Sequence, residues 1–140
     1  MNEPHPGLVI AHTVGFVMLA GPAILFDLRV LGFSRRIPVR ALARHLLPWS
    51  AAALLLVLPT GVLMFNANAV DLLGSPVFKV KMALLLTAAT NAAIFHTGPF
   101  RSAAAWDVDA TAPLGARACA AISIAAWLAI IACGQLLGQR

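Results

Sequence analysis

Two imidazoles carry the sharpest chemistry in this chain, those of His45 and His96. His45 falls about two turns into one long apolar run, and His96 falls about one turn from the end of the next. In antiparallel helices the two rings come out at similar depth, near the same membrane face. A b-type haem needs that arrangement: one axial histidine from each of two facing helices. Ala92, Ala89 and Leu85 continue the His96 face at i−4, i−7 and i−11, where small side chains leave room for a flat macrocycle. Trp49 and Ala52 continue the His45 face at i+4 and i+7, offering a stacking wall and a gap. Arg40, Arg44, Arg29 and Arg101 gather at the adjacent boundary. Guanidinium groups match carboxylates in bidentate fashion, so these arginines suit haem propionates. A plainer account needs no cofactor: boundary histidines hydrogen-bond at headgroup level, and boundary arginines set orientation.

A second constellation lies toward the other face. His12, Met64, Met82 and Cys133 are soft or borderline ligands of the kind that hold Cu(I). Methionines on apolar helices are ordinarily packing, which is the competing account. Asp27 is the acidic residue at the edge of a span on the arginine-rich side. It is expected to pair with Arg29, Arg44 or Arg101, or to orient a histidine Nδ1. Asn91, with Thr87 and Thr90, fits hydrogen bonding between helices. There is no Ser/His/Asp set, Gly-rich phosphate loop or His-Glu-x-x-His motif. An electron-transfer or accessory protein is therefore expected rather than an enzyme.

These residues are positioned by a chain built for lipid. Of 140 residues, 61% are hydrophobic and only 11% charged, with a mean hydropathy of +0.89. A soluble domain carries about 25% charged residues. A small domain has too much surface to hide such a deficit in its core. The apolar runs are continuous rather than alternating, which selects helices over a barrel. Four spans are predicted, over about 8–32, 39–69, 76–97 and 113–137, making one all-α four-helix membrane bundle. The first is too long for a signal core and lacks a basic leader, so it is expected to be retained. Pro48 and Pro59 should kink the second span. Lys79 and Lys81 can snorkel from the first turns of the third. A polar loop carries Arg101, Asp107, Asp109 and Arg117. Gly134 and Gly138 form a small-xxx-small pair that permits close helix approach.

The net charge of +5 does not point to nucleic acid, because the basic residues flank apolar spans and form no run. They point to orientation. One face receives Arg29, Arg35, Arg36, Arg40, Arg44, Arg101 and Arg117; the other receives Lys79, Lys81 and Arg140. Seven against three makes the arginine-rich face cytoplasmic and leaves both termini outside. Cys119 and Cys133 are fourteen residues apart on one predicted helix. That is about 21 Å, well beyond the roughly 7 Å a disulfide allows between Cα atoms.

The run Phe26-Asp27-Leu28-Arg29-Val30-Leu31-Gly32 resembles the FDLR-x-LG signature of a family of small four-helix bacterial inner-membrane proteins of unknown function. Thr60-Gly61 with Phe65, then Ser75-Pro76-Val77-Phe78-Lys79-Val80-Lys81, then Asn91 through Phe95-His96, resemble that family's second and third helices. The likeness covers roughly the first hundred residues, and the fourth span matches in character. It marks Asp27, Arg29, Lys79, Asn91 and His96 as family-pattern positions. A looser likeness to the membrane region of copper-resistance D-type proteins implies a copper or redox role. The expectation is a membrane haem b protein with His45 and His96 as ligands, serving a redox partner or a homodimer. Copper handling, or an accessory subunit without cofactor, is the alternative.

Overall fold

The computed structural model describes residues 4–139. Among them, four helices are long and apolar enough to cross a bilayer. They are α1 (Pro6–Leu31), α2 (Val39–Ala67), α4 (Pro76–Thr97) and α5 (Leu114–Gly138). A short helix α3 (Ala69–Leu73) bridges α2 and α4, and a 3-10 helix (Pro99–Trp106) occupies part of the predicted polar loop. The protein is a multi-pass membrane protein with an all-α bundle fold.

Local chemistry sets the ends. His5 Nδ1 accepts the Gly7 N–H at 2.9 Å and Pro6 opens α1. Gly32 closes α1 at φ 121°, a conformation open to glycine. The Gly32 N–H donates to Arg29 O and the Phe33 N–H to Leu28 O, a Schellman-type stop. Ser75 Oγ accepts the Phe78 N–H at 3.4 Å and Pro76 starts α4. The start of α2 is capped from a distance. Asp107 O accepts the Val39 N–H and Asp107 Oδ1 accepts the Arg40 N–H at 2.8 Å. The assigned α2 runs on through Pro48 and Pro59.

The packing order is not the chain order. α1 packs along α2 and also on α5, and α5 packs on α4. α2 and α4 are not packed on each other among the described residues. They flank a central α1–α5 pair and leave a seam between them. At the α1–α2 contact, a Cβ on Gly15 would lie 2.9 Å from Val57 Cγ2, so a larger residue would force the Val57 side chain to shift. Ser50 Oγ donates to Leu19 O across the same contact at 2.8 Å. Asn91 Nδ2 donates to Cys119 O at 2.8 Å and ties α4 to α5. This is the interhelical role expected of Asn91.

The densest core lies at the arginine-rich end, where Phe26, Val30, Val39, Phe95, Trp106 and Ala116 are buried together. Arg29 sits inside it at 3% exposure. Its guanidinium donates to Ile37 O at 2.7 Å and to Arg35 O and Asp107 O at 3.1 Å. One planar fork thus joins the α1–α2 turn to the loop before α5. Toward the middle of the membrane, large apolar side chains face outward, with Leu55 at 81% and Leu86 at 70% exposure. That surface suits acyl chains. Gly134 and Gly138 also look onto open space, so their small pair makes no close approach within this chain.

Candidate functional site

His12 lies on α1 near the face where both termini emerge, and it is half-buried. Its Nδ1 is 2.9 Å from Thr60 Oγ1 on α2. The Thr60 hydroxyl has one proton, which it donates to Leu56 O at 2.6 Å. Toward His12 it must therefore accept, so the imidazole carries its proton on Nδ1. In that tautomer Nε2 carries the lone pair, and the Val57 carbonyl also faces the ring. Room for the ring comes from Gly61, where a Cβ would stand 3.3 Å from His12 Cε1. Lys81 of α4 is within electrostatic reach of His12 and also of Cys133 on α5. His12 and Thr60 meet across α1 and α2, and Lys81 of α4 and Cys133 of α5 carry charge or a polarisable sulfur toward the same end of the bundle. Polar groups inside a membrane span are costly, and convergence of this kind marks a candidate site.

A second locus lies at the arginine-rich face. An open groove of about 510 Å³ runs between α2 and α4, lined by Arg40, Arg44, Leu47, Ala51, His96 and Phe100 among others. The His96 ring packs edge-on against Phe95 and Phe100, with centroids 5.2 and 5.3 Å apart. Arg40 reaches Asp107 Oδ2 at 3.4 Å. Asp107 is the carboxylate whose pKa is held below its ordinary value, first by the Arg40 backbone N–H; burial opposes this, and the Arg40 side chain and the Arg44 charge add to the lowering.

The residues singled out from sequence are therefore distributed unevenly. His96 and Arg44 share the groove, but His45 and Trp49 are exposed and neither lines it. Trp49 is 57% exposed. Arg101 is exposed on the 3-10 helix and lies outside the groove lining. Arg29 is committed to backbone carbonyls and is not free for a propionate. The ion pair expected of Asp27 is not made among the described residues. Asp27 is buried, Ser123 faces its carboxyl, and Oδ2 has no hydrogen-bond partner. Of the soft-ligand set, Cys133 is buried near Lys81, Met64 is half-buried and Met82 is 40% exposed. Among the described residues, no three His, Cys, Asp or Glu side chains come together in a metal-holding group.

Thr60 and Lys81 belong to the site and were not singled out as such. Lys81 is the sixth residue of α4, deeper than a boundary lysine needs to be. An ionisable group at that position was the available signal.

Fold and site together define a small four-helix membrane protein with polar side chains inside its bundle. By sequence the chain belongs to a family of unknown function (DUF6644), whose model matches residues 8–140. The match runs through α5 as well as the first three spans. No curated protein and no solved structure matches the chain.

Proposed function

We propose that this is a b-type haem protein of the bacterial inner membrane that passes electrons, with His12 as an axial ligand. The observation that supports the reading is the hydrogen bond between His12 Nδ1 and Thr60, which orients the ring and makes Nε2 the nitrogen that would ligate. The electrostatics of the cluster favour haem over a bare copper ion. The Lys81 ammonium, with no carboxylate among His12, Thr60 and Cys133 to offset it, disfavours a lone cation. Haem instead brings propionates that Lys81 can neutralise. When bound, haem supplies one-electron chemistry, and the protein supplies ligation and charge.

His96 lines the α2–α4 groove and His45 lies outside that lining, so this reading gives the ligand role to His12 in place of that pair. By the positive-inside rule the arginine-rich face is cytoplasmic, which places both termini and the cluster on the periplasmic side. A bundle this small leaves little room for a separate substrate site. The protein then serves a larger redox partner or works as a homodimer.

The test is a reduced-minus-oxidised visible spectrum of the purified protein, expressed with ample haem. A band lost in His12→Ala and kept in His45→Ala and His96→Ala is expected. A colourless parent, or a His12→Ala variant that keeps its band, overturns the reading.

A further inference from the structure

The groove between α2 and α4 has a cationic rim and an apolar floor. Arg40 and Arg44 stand at the membrane boundary, while Leu47, Ala51 and Phe100 line the remainder. The rim charge is under-neutralised. Among the described residues Arg44 forms no ion pair, and Arg40 forms one exposed contact of 3.4 Å with Asp107. The floor cannot be satisfied by water or by a small ion. It lies in the seam that the α2–α1–α5–α4 packing order leaves between two helices, so it is open to the hydrocarbon. An occupant that suits both parts is anionic at one end and apolar at the other. His96, beside the arginines, offers a further ring N–H to the anionic end.

We propose that this groove is a binding site for an anionic phospholipid of the leaflet on the arginine-rich face. The phosphate lies between Arg40 and Arg44, and one acyl chain follows Leu47 and Ala51 into the seam. Two guanidinium groups facing a headgroup of net negative charge, with no choline cation to offset its phosphate, supply the selectivity. The unpacked α2–α4 seam is then closed by lipid rather than by protein. This site is separate from the His12 cluster and does not depend on what that cluster binds.

The experiment is native mass spectrometry of the full chain taken from bilayers of equal phosphatidylglycerol and phosphatidylcholine. Phosphatidylglycerol should be retained preferentially. Arg40→Gln and Arg44→Gln should each lower the retained ratio about fivefold, as expected for one basic residue at an anionic surface. Ala51→Phe, which fills the floor without changing charge, should lower retention of the lipid. Excess inorganic phosphate should not displace it. Equal retention of both lipids, an unchanged ratio in the arginine variants, or an unaffected Ala51→Phe variant would overturn the proposal. Displacement by inorganic phosphate would overturn it too, since that makes the groove a free-anion site.

Discussion

The two ends of the bundle hold the same kinds of residue in opposite states. At the terminal end, His12 is half-buried, its Nδ1 is fixed by Thr60, and a lysine and a cysteine from two further helices stand nearby. At the arginine-rich end, His96 lies in an open groove against two phenyl rings, with charges that face outward. Both histidines sit near the end of a spanning helix, so position along the chain ranks them equally. What separates them is the partner on the second ring nitrogen. A histidine whose tautomer is set by a neighbour is prepared for a ligand, and one packed only on rings is prepared for a boundary.

The comparison can be broken in several ways. The largest expected effect outside the ligand itself is structural. Arg29→Ala strips one buried cation from three carbonyls and should destabilise the protein by about 3 kcal/mol. Thermal unfolding in detergent, followed by circular dichroism, reads this directly. Arg29→Lys should recover only part of the loss, because an ammonium cannot span the fork. If Arg29→Ala unfolds like the parent, the arginine-rich end is not held together as described.

Thr60→Val keeps the shape of the side chain and removes the acceptor for His12 Nδ1. Haem affinity should fall on the order of 10–100-fold with the fold intact. Haem titration of the apoprotein measures it, and an unchanged affinity would remove the distinction between the two histidines.

Asp107 gives a pH-dependent difference. Its pKa is depressed in the folded state, so its contribution is fully present above the unfolded value of about 3.9 and is lost as pH falls through the lower folded value. The parent should exceed Asp107→Asn in stability at neutral pH, and the gap should close on acidification below about pH 4. A gap that persists at low pH would show that the carboxylate charge is not what caps α2. The smallest effect expected is that of Ser50→Ala, about 0.6 kcal/mol for one hydrogen bond between helices in a bilayer. A loss several times larger would mean that the α1–α2 contact depends on that bond more than on Gly15 packing.

Much of this was legible in the sequence. The four spans lie within a few residues of their expected bounds, because continuous apolar runs leave few other options. The 3-10 helix was hidden in a stretch whose alanines and polar residues give no clear period. The sequence sets His45 and His96 at matching depth, and in the structure His96 lines the α2–α4 groove while His45 is exposed outside its lining. Helix length fixes how deep a residue sits, but not which way it faces. Packing order decides that, and here α2 and α4 make no direct packing contact among the described residues and face each other across a groove. Arg29 was misplaced in the same way. A boundary arginine looks free in sequence, and only the fold of the loop around it reveals three carbonyls aimed at its fork. The meeting of His12 with Thr60, forty-eight residues along the chain, also depends on how α1 docks on α2.

The most direct test of the central claim is chemical rescue at His12. The haem content of His12→Gly would be measured by pyridine haemochrome with and without added imidazole, beside His96→Gly. The account predicts that His12→Gly loses haem, that imidazole restores it, and that His96→Gly keeps it throughout. Haem retained in His12→Gly without imidazole, or lost only in His96→Gly, would contradict it and move the site to the other end of the bundle.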